Sequence, residues 1–226
     1  MTLQVLVVDD QAIARAGIAT MLDAEDDLVV VGQSRDGEDA VRDALELRPD
    51  VVVMDIRMPR LDGIAATRRI VAEPSTAVVL ITTFDDDEHL FDGIAAGASG
   101  FLLKDSGPDL MAAAVRSAAR GDSLIDPAMT RSLLEHRLRA DPAAPSDASA
   151  GRALLAALSE REQQVLEAVA RGLSNAAIAA ELFLSEATVK THLSNILVKT
   201  HTQSRVQAAV FAYETGFVRP GWLGEA

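Results

Sequence analysis

Short apolar runs and helical apolar spacing alternate along the first part of the chain. The clearest run is Val51–Met54, which lies between Pro49 and Pro59 in the stretch VVVMDIRMPRLDG. A continuous apolar run of this kind is typical of a parallel strand that is buried on both faces. Similar runs predict further strands at Leu3–Val8, Leu28–Val31, Ala77–Thr82 and Gly100–Leu103. Apolar spacing of three and four residues predicts helices at Gln11–Glu25, Gly37–Leu47, Ile64–Val71, Asp87–Ala96 and Pro108–Arg120.

This alternation predicts an α/β fold class. Five strands, each followed by a helix, form a doubly wound parallel sheet with right-handed crossovers and helices on both faces. We expect the flavodoxin-like strand order 2-1-3-4-5, in which the first and third strands are neighbours. In such a sheet, ligands bind outside the carboxyl ends of the strands.

The pattern changes after residue 125. Helical spacing continues over Ile125–Leu138, and the stretch Arg139–Ala153 is dense in Pro, Ala, Ser, Asp and Gly, which predicts a flexible tether. Beyond residue 153, the apolar residues recur only at helical spacing. A capping box, Ser159-x-x-Glu162, begins a helix that ends at a glycine stop. Ser174 and Ser185 are the expected caps of further helices at Asn175–Leu182 and Glu186–Lys199, and Thr202 can cap a last helix that runs to Thr215.

The two middle helices of this group are joined by only Phe183–Ser185. A short helix, a three-residue turn and a longer helix are the outline of a helix-turn-helix. The last helix carries an apolar stripe formed by Val206, Ala209, Val210 and Tyr213. We therefore predict a first domain at residues 1–125, a helix and flexible linker at 126–153, and a small four-helix all-α domain at 154–226.

Composition narrows the class of protein. A length of 226 residues and a hydrophobic content of 49% suit two domains with cores of their own. No apolar run approaches the ~18 residues of a membrane span. The absence of cysteine excludes disulfides, thiolate metal sites and cysteine nucleophiles. We expect a soluble cytoplasmic protein with no membrane partner.

The net charge of −13 is unevenly distributed. Residues 1–139 carry 14 basic and 25 acidic side chains, whereas residues 140–226 carry 7 and 9. Between Glu186 and Glu214 there is no acidic residue, while Lys190, Lys199 and Arg205 are present. Charge alone therefore allows nucleic-acid binding only through this local patch.

Carboxylates follow the ends of two predicted strands that lie side by side. Asp9 and Asp10 end the first strand, and Asp55 ends the third. Three carboxylates within a few ångströms cannot all stay ionised without a cation, and hard oxygen ligands suit Mg²⁺. The sequence therefore predicts a magnesium site at this edge of the sheet.

Two further side chains end the neighbouring strands. Thr82 ends the fourth strand with a hydroxyl, and Lys104, the only lysine of the first domain, ends the fifth. A metal, a hydroxyl and an ammonium group around one carboxylate are what phosphoryl transfer to Asp55 needs, because they neutralise the oxygens of the transferred group. Each residue alone also has an ordinary explanation as a turn residue, a helix cap or a solvated strand end. Their shared position at the carboxyl ends of strands favours a site.

Residues 1–125 closely resemble the receiver domain of two-component response regulators, in the stretches VLVVDD, VVVMDIRMPRLDG, VLITTF and GFLLKD. The resemblance implies that a sensor histidine kinase phosphorylates Asp55. It also implies a Mg²⁺ site whose ligands are Asp9, Asp10, Asp55 and the backbone carbonyl of Arg57.

The same resemblance gives roles to the remaining residues of the site. Thr82 and Lys104 are expected to bind the phosphoryl group. Phe101 is expected to turn inward when Thr82 is drawn to the phosphate, a role that is compatible with plain core packing. Asp105 stands where many receivers have proline, so the cis peptide associated with that position is less strongly expected here.

The run LSEREQQVLEAVARGLSNAAIAAELFLSEATVKTHLSNILVKT is similar to the helix-turn-helix of the LuxR/NarL class of transcription factors, and the match spans Leu158–Val218. The apolar residues of the two middle helices would form a small core, namely Ile178, Leu182, Val189, Leu193 and Ile196. The opposite face of Glu186–Lys199 would lie in the major groove of DNA. The expected DNA contacts are Asn175, Lys190, Thr191, Ser194 and Lys199, with Asn175 and Lys199 directed to the phosphate backbone.

Two departures from this class concern the same domain. Ser194 stands where some relatives carry a base, and Thr200-His201-Thr202 replaces a Leu-Gly-apolar step. Because phosphate neutralisation supplies much of the affinity for DNA, a monomer with so few cations should bind weakly. Dimerisation through the stripe of Val206, Ala209, Val210 and Tyr213 would double the contacts, as it does in the relatives.

We therefore predict a transcriptional response regulator of the NarL/FixJ type, in which phosphorylation of Asp55 controls homodimerisation and binding to double-stranded promoter DNA. An aspartate-nucleophile phosphatase would need a second aspartate two residues after Asp55, where this chain has Arg57, so we do not expect an enzyme. A small-molecule sensor of the LuxR class would need an aromatic-lined domain, but the aromatics of the first half are Phe84, Phe91 and Phe101. A phosphorylation-independent receiver and a helical interaction module with a solvated polar face are the remaining alternatives.

Overall fold

The computed structural model describes residues 2–72, 76–83, 87–126 and 148–218. The chain divides into two units, Met1–Ala140 and Asp141–Ala226. Residues 127–147 lie outside the described ranges. The helix predicted over Ile125–Leu138 and most of the predicted tether fall there.

The first unit is built on a parallel sheet. Its strands, β1 to β6 in chain order, are Leu3–Val8, Leu28–Ser34, Val51–Asp55, Ala77–Thr82, Gly100–Leu103 and Leu124–Ile125. The strands lie side by side as β2-β1-β3-β4-β5-β6, which confirms the order predicted for the first five. All strand pairs among the described residues are parallel.

Helices cover both faces of this sheet. Helices α1 to α5 are Ala12–Asp23, Gly37–Leu47, Gly63–Ile70, Asp87–Ala95 and Pro108–Ala119. On one face, Ile18 of α1 and Met111 of α5 belong to the same buried cluster as Val53 of β3. On the other face, Gly93 of α4 lies against Leu80 and Phe101. Because both faces are covered, every residue of β3 is buried and the strand is continuously apolar up to its terminal aspartate.

The structure corrects the predicted sheet at its two edges. β2 continues to Ser34 instead of ending at Val31, because it stays paired with β1 as far as Val8–Ser34, with a register shift between Val5 and Leu6. As an edge strand of the described sheet, β2 is only partly covered and accepts polar residues. A sixth strand, β6, was not predicted, and Ile125 belongs to it rather than to a helix. Its two residues are too few to show a period, and only pairing with β5 identifies them.

The second unit is entirely helical in the part that the structure describes. Its helices, α6 to α10, are Ala148–Ala156, Glu160–Ala170, Asn175–Leu182, Glu186–Thr200 and Arg205–Glu214. The predicted small core is confirmed, since Ile178, Val189, Leu193 and Ile196 are buried and Leu182 packs against them. Helix α6 is a fifth helix, and it replaces the last part of the predicted tether. This stretch is rich in alanine, which has the highest helix propensity, so a composition that favoured a tether also allows a helix.

The starts of the helices follow the predicted caps with one exception. Ser159 and Glu162 form the predicted capping box, and Ser174 and Ser185 cap α8 and α9. Helix α10 is capped by Ser204 rather than by Thr202. The N–H of Thr202 is used in closing α9, where it donates to the carbonyl of Leu197 at 3.0 Å.

Candidate functional site

Four strands end at the same edge of the sheet and bring the predicted residues together. Asp9 follows β1, Asp55 ends β3, Thr82 ends β4 and Lys104 follows β5. The strand registers place Asp55 opposite Ile81, and Thr82 opposite Leu103. The four side chains therefore come from neighbouring strands at one level of the sheet.

Lys104 joins the two buried carboxylates of this edge. Its Nζ lies 2.7 Å from Oδ2 of Asp55 and 2.8 Å from Oδ2 of Asp9. Asp9 is fully inaccessible, whereas 4% of Asp55 is exposed. Two carboxylates that share one ammonium group leave a net negative charge at the edge, which a bound cation would neutralise.

The acidic residues are close enough to hold that cation. One carboxylate oxygen from each of Asp9, Asp10 and Asp55 lies within 4.8 Å of the others. Asp10 is exposed, so the group opens to solvent on one side. Oδ2 of Asp9 is buried and accepts no hydrogen bond from the described residues, and its contact with Lys104 is an ion pair without hydrogen-bond alignment. An all-oxygen set with an unsatisfied buried oxygen fits Mg²⁺, so the predicted magnesium site is chemically consistent with the residues present.

Burial and the neighbouring Lys104 shift the pKa of the Asp55 carboxyl in opposite directions. Burial raises the pKa of the Asp55 carboxyl above its ordinary value and the charge of Asp9 adds to this, while Lys104 and the backbone N–H of Arg57 oppose it. Burial also lowers the pKa of Lys104, but its contacts with Asp55 and Asp9 outweigh burial and raise the pKa overall. Lys104 is therefore held as a cation beside the carboxylates.

Thr82 and Phe101 lie on the strands predicted for them. Thr82 is buried, and its hydroxyl donates to the carbonyl of Thr83 at 3.3 Å. Phe101 is fully buried, with its ring packed against Gly93. The ring is therefore part of the core. Its additional role in switching stays a prediction.

The loop after β3 contains interactions that the sequence pattern did not reveal. A Cβ atom on Gly63 would lie 2.1 Å from the carbonyl oxygen of Asp55, so only glycine fits there. Arg60 adopts a left-handed conformation with φ 66° and forms an ion pair with the fully buried Asp36. Leu61 accepts a hydrogen bond from the N–H of Gly37 at 3.1 Å. These contacts fix the loop that carries Arg57, and their long sequence separation hides them from local patterns.

A cleft of about 580 Å³ opens beside this loop. It is lined by residues that include Arg57, Met58, Asp62, Arg68 and Asp92. None of Asp9, Asp10 and Asp55 lines it. The cleft is thus a neighbour of the acidic group and not part of it.

Helices α8 and α9 form the predicted helix-turn-helix. Phe183 ends α8 in a left-handed conformation with φ 55°, and Ser185 begins α9 two residues later. The exposed face of α9 includes three of the predicted contact residues, Lys190, Thr191 and Ser194. Val189, Leu193 and Ile196 are buried on its other face.

Comparison with known proteins identifies both units. Residues 5–116 match the response regulator receiver domain, and residues 156–212 match the bacterial regulatory proteins of the luxR family. The chain is 40% identical over 218 residues to the uncharacterized transcriptional regulatory protein YxjL of Bacillus subtilis, which covers 96% of this chain and 98% of that protein. The chain belongs to the LuxR-family response regulators.

Other relatives match over the same length. The transcriptional regulatory protein LiaR of Bacillus subtilis is 38% identical and covers 96% of this chain and 99% of its own. The response regulator protein VraR of Staphylococcus aureus is 36% identical and covers 97% and 100%. Among solved structures, the response regulator ChrA of a heme-sensing two-component system is 34% identical, with a TM-score of 0.54 and coverage of 96% and 99%. This confirms the predicted family, a receiver domain followed by a LuxR-type DNA-binding domain.

Within the DNA-binding domain of this response regulator, Asn175 begins α8 as predicted, but its side chain is buried. Only 1% of Asn175 is exposed, and its Oδ1 accepts a hydrogen bond from Nη1 of Arg205 at 2.9 Å. Arg205 is itself buried and also donates to the carbonyl of Leu173. The Asn175 side chain is therefore engaged inside the domain, so its phosphate contact stays a prediction that requires Arg205 to release it, and the buried Arg205 is not a surface cation. The partners lie 30 residues apart, so no local pattern reveals them.

Lys199 is only partly available to DNA. Its Nζ lies 2.7 Å from Oε2 of Glu162, a carboxylate of which 4% is exposed. Burial alone would raise the pKa of Glu162, but the hydrogen bonds from Lys199 and Ser159 lower it below its ordinary value. Lys199 thus stabilises a buried charge inside the domain, and a phosphate would have to compete with that partner.

The predicted dimerisation stripe is divided between surface and core. Val206, Ala209, Val210 and Tyr213 are all partly buried. Ala209 and Tyr213 pack against the core of the domain, and the Tyr213 hydroxyl donates to the carbonyl of Ala170 at 3.0 Å. Val206 and Val210 remain as the stripe residues that do not belong to that cluster.

Among the described residues, no helix combines the length and the apolar character that crossing a membrane requires.

Proposed function

We propose that this response regulator is phosphorylated on Asp55 by a sensor histidine kinase, and that the phosphorylated form binds promoter DNA as a homodimer. One observation carries the proposal. Lys104 bridges Asp55 and Asp9 at 2.7 and 2.8 Å, beside a set of acidic oxygens that fits a divalent cation. This is an arrangement suited to phosphoryl transfer onto a carboxylate.

The chemistry assigns a part to each residue. An oxygen of Asp55 attacks the phosphorus of the phosphohistidine, so that an O–P bond forms while the N–P bond to the kinase breaks. Lys104 stabilises the negative charge of the phosphoryl oxygens, and the Thr82 hydroxyl donates a hydrogen bond to one of them. Mg²⁺, when bound, supplies further charge neutralisation. Its proposed ligands are Asp9, Asp10, Asp55 and the carbonyl of Arg57.

The output of this site is proposed to act through the DNA-binding domain. Lys190, Thr191 and Ser194 lie on the exposed face of α9, which we place in the major groove. Lys199 would contribute to phosphate contacts only by exchanging its partner Glu162. The inward position of Phe101 is compatible with a switch in which Thr82 moves toward the phosphoryl group.

Phosphorylation is tested by labelling the full chain with a small acyl phosphate in the presence of Mg²⁺. We expect incorporation of one phosphoryl group that is stable in neutral buffer and lost in mild base, as an acyl phosphate should be. Asp55→Asn should not label, whereas Asp105→Asn, an exposed carboxylate of the turn after β5, should label normally. Chelation of the divalent cation should suppress labelling of the unaltered chain. Undiminished labelling of Asp55→Asn would contradict the assignment.

A further inference from the structure

The last described strand of the receiver domain, β6, is followed by a residue that is hydrogen-bonded to the turn after β5. Asp126 follows β6 directly, and only 7% of it is exposed. Its N–H donates to the carbonyl of Phe101 at 2.8 Å, which continues the pairing of β5 with β6. Asp126 is also the last described residue before the stretch of sequence that leads to the second unit.

Ser106 connects Asp126 to the turn that carries Lys104. The Ser106 hydroxyl donates to Oδ2 of Asp126 at 2.6 Å and accepts from the N–H of Leu103 at 3.2 Å. The N–H of Ser106 donates to the carbonyl of Leu103 at 3.0 Å, so the same residue closes the turn from both sides. An O–H to carboxylate bond this short is among the stronger hydrogen bonds in proteins.

The other side of this turn contacts the acidic site. The N–H of Lys104 donates to the carbonyl of Thr82 at 2.7 Å, and Nζ of Lys104 reaches both Asp55 and Asp9. A continuous set of hydrogen bonds therefore runs from Asp55 through the Lys104 turn to Asp126. The position of the ammonium group and the position of Asp126 are set by the same four-residue turn.

We propose that Ser106 and Asp126 are positioning residues for Lys104, and that they transmit the state of Asp55 to the end of β6. The inference rests on the proposed phosphorylation of Asp55. When the phosphoryl group changes the charge that Lys104 faces, the turn responds, and the hydrogen bonds that join Asp126 to Ser106 and to Phe101 carry that response to the end of β6. Neither Ser106 nor Asp126 touches the reacting atoms, so their effect is through Lys104.

The test uses the full chain with Ser106→Ala, Asp126→Ala, their combination and Ser106→Thr. Ser117→Ala, a serine of α5 outside this network, is the matched control. With an acyl phosphate and Mg²⁺, each single alanine variant should lower the maximal labelling rate by on the order of tenfold, the factor that corresponds to one hydrogen bond. The donor concentration for half-maximal rate should change little. The combined variant should be no slower than the slower of the two single variants, because both single variants already remove the Ser106–Asp126 bond. Ser106→Thr, which keeps the hydroxyl, should label at the rate of the unaltered chain.

A second measurement follows transmission directly. Amide exchange at Leu124–Asp126 should change when the unaltered chain is labelled, and it should not change when Asp55→Asn is treated in the same way. In Ser106→Ala this response should be lost even after labelling is driven to completion. A simple loss of stability would instead raise exchange in the labelled and unlabelled states alike.

These experiments distinguish a failure of the positioning role of Ser106 and Asp126 from a failure of the proposed phosphorylation of Asp55. If the unaltered chain does not label on Asp55, the proposed phosphorylation fails. If the chain labels but Ser106→Ala matches Ser117→Ala in rate and in the response of β6, the positioning role is overturned. Should Asp126→Ala fail to fold, the half-buried Ser106 decides the question through its alanine and threonine variants.

Discussion

Asp55 is a carboxylate at the end of a strand that is otherwise entirely apolar. Burial favours its neutral form, and the nearby Asp9 acts in the same direction. Lys104 and the N–H of Arg57 favour the charged form, which is the proposed nucleophile. The balance leaves the pKa of Asp55 raised, so the charged form is destabilised until a cation or a phosphoryl group changes the site.

Replacement of Asp55 by asparagine should stabilise the receiver domain at neutral pH when divalent cations are absent. Because the pKa of Asp55 is raised in the folded state, its contribution to stability is fully present below the ordinary pKa of about 3.9 and is lost as the pH rises through the raised value. Asp55→Asn removes the titrating carboxyl group and therefore this loss of stability. The free energy of unfolding of the variant minus that of the unaltered chain should therefore grow from acid to neutral pH.

The measurement is urea unfolding in the presence of a chelator, followed at amides of β3 across that pH range. Asp105→Asn serves as the control, since its carboxylate is exposed and lies outside the acidic group. If Asp55→Asn were less stable than the unaltered chain at neutral pH, the balance of burial and charge given above would be incorrect.

The elements of the receiver domain are connected at the site by close backbone approaches. Helix α3 begins at Gly63, whose N–H donates to the carbonyl of Ile56 at 2.8 Å. The missing side chain of Gly63 allows the start of α3 to contact the end of β3. In the DNA-binding domain, Glu162 and Lys199 connect α7 to the end of α9 in a comparable way.

Substitution of Gly63 by alanine should destabilise the receiver domain by about 1–3 kcal/mol, the usual cost of an overpacked contact. The new Cβ would meet backbone at 2.1 Å, which no side-chain rotation can relieve. Labelling of Asp55 should also slow, because the loop with Arg57 must move. Gly17→Ala is the matched control in α1, where a Cβ meets nothing within 4 Å. It should raise stability by up to about 1 kcal/mol, and equal effects of the two substitutions would argue against the close approach.

Lys190 and Lys199 should give opposite results although both belong to α9. Lys190→Ala should leave the stability of the domain unchanged and weaken DNA binding. If Lys190 neutralises one phosphate, the slope of log affinity against log salt should become shallower by about 0.9. Lys199→Ala should instead lower the free energy of unfolding by about 1–3 kcal/mol, because it leaves the buried Glu162 without its cationic partner. An unchanged salt slope in Lys190→Ala would exclude a phosphate contact.

The two domains of the chain differ in net charge and in the number of cations available at their surfaces. The net charge of −13 comes mostly from the receiver half, and the DNA-binding domain has few cations on its exposed face. Two of the three cations that the sequence places near α9 are engaged within the domain, Arg205 by Asn175 and Lys199 by Glu162. Affinity for DNA is therefore expected to depend on joining two such domains.

Val210→Asp should reduce DNA affinity by weakening the proposed dimer. Val210 lies on the stripe of α10 but outside the buried cluster, so a charge there should not unfold the domain. Sedimentation of the labelled protein should show a smaller fraction of dimer, and DNA binding should fall in parallel. Leu45→Asp, an exposed leucine of the receiver domain, is the control. If labelled Val210→Asp dimerised normally, the dimer interface would not be formed by this stripe of α10.

Much of this architecture is already present in local sequence pattern. The five longer strands, the helix-turn-helix and its serine caps follow from apolar period and from cap residues, because these act over a few neighbouring positions. The acidic group and Lys104 could also be placed together, since parallel strands of known order end at one edge. The helical spacing of the apolar residues likewise predicted that Lys190, Thr191 and Ser194 lie on the exposed face of α9, and they do.

Other features depend on residues that are distant in sequence. The two-residue strand β6 exists only through pairing with β5, and Asn175 is buried only because Arg205 reaches it across 30 positions. The same holds for Asp36 with Arg60, for Ser106 with Asp126, and for the glycine that must sit at position 63. Local propensity sets where strands and helices form, whereas packing decides which polar side chains become partners, because a buried charge is tolerated only where the fold brings another group to meet it.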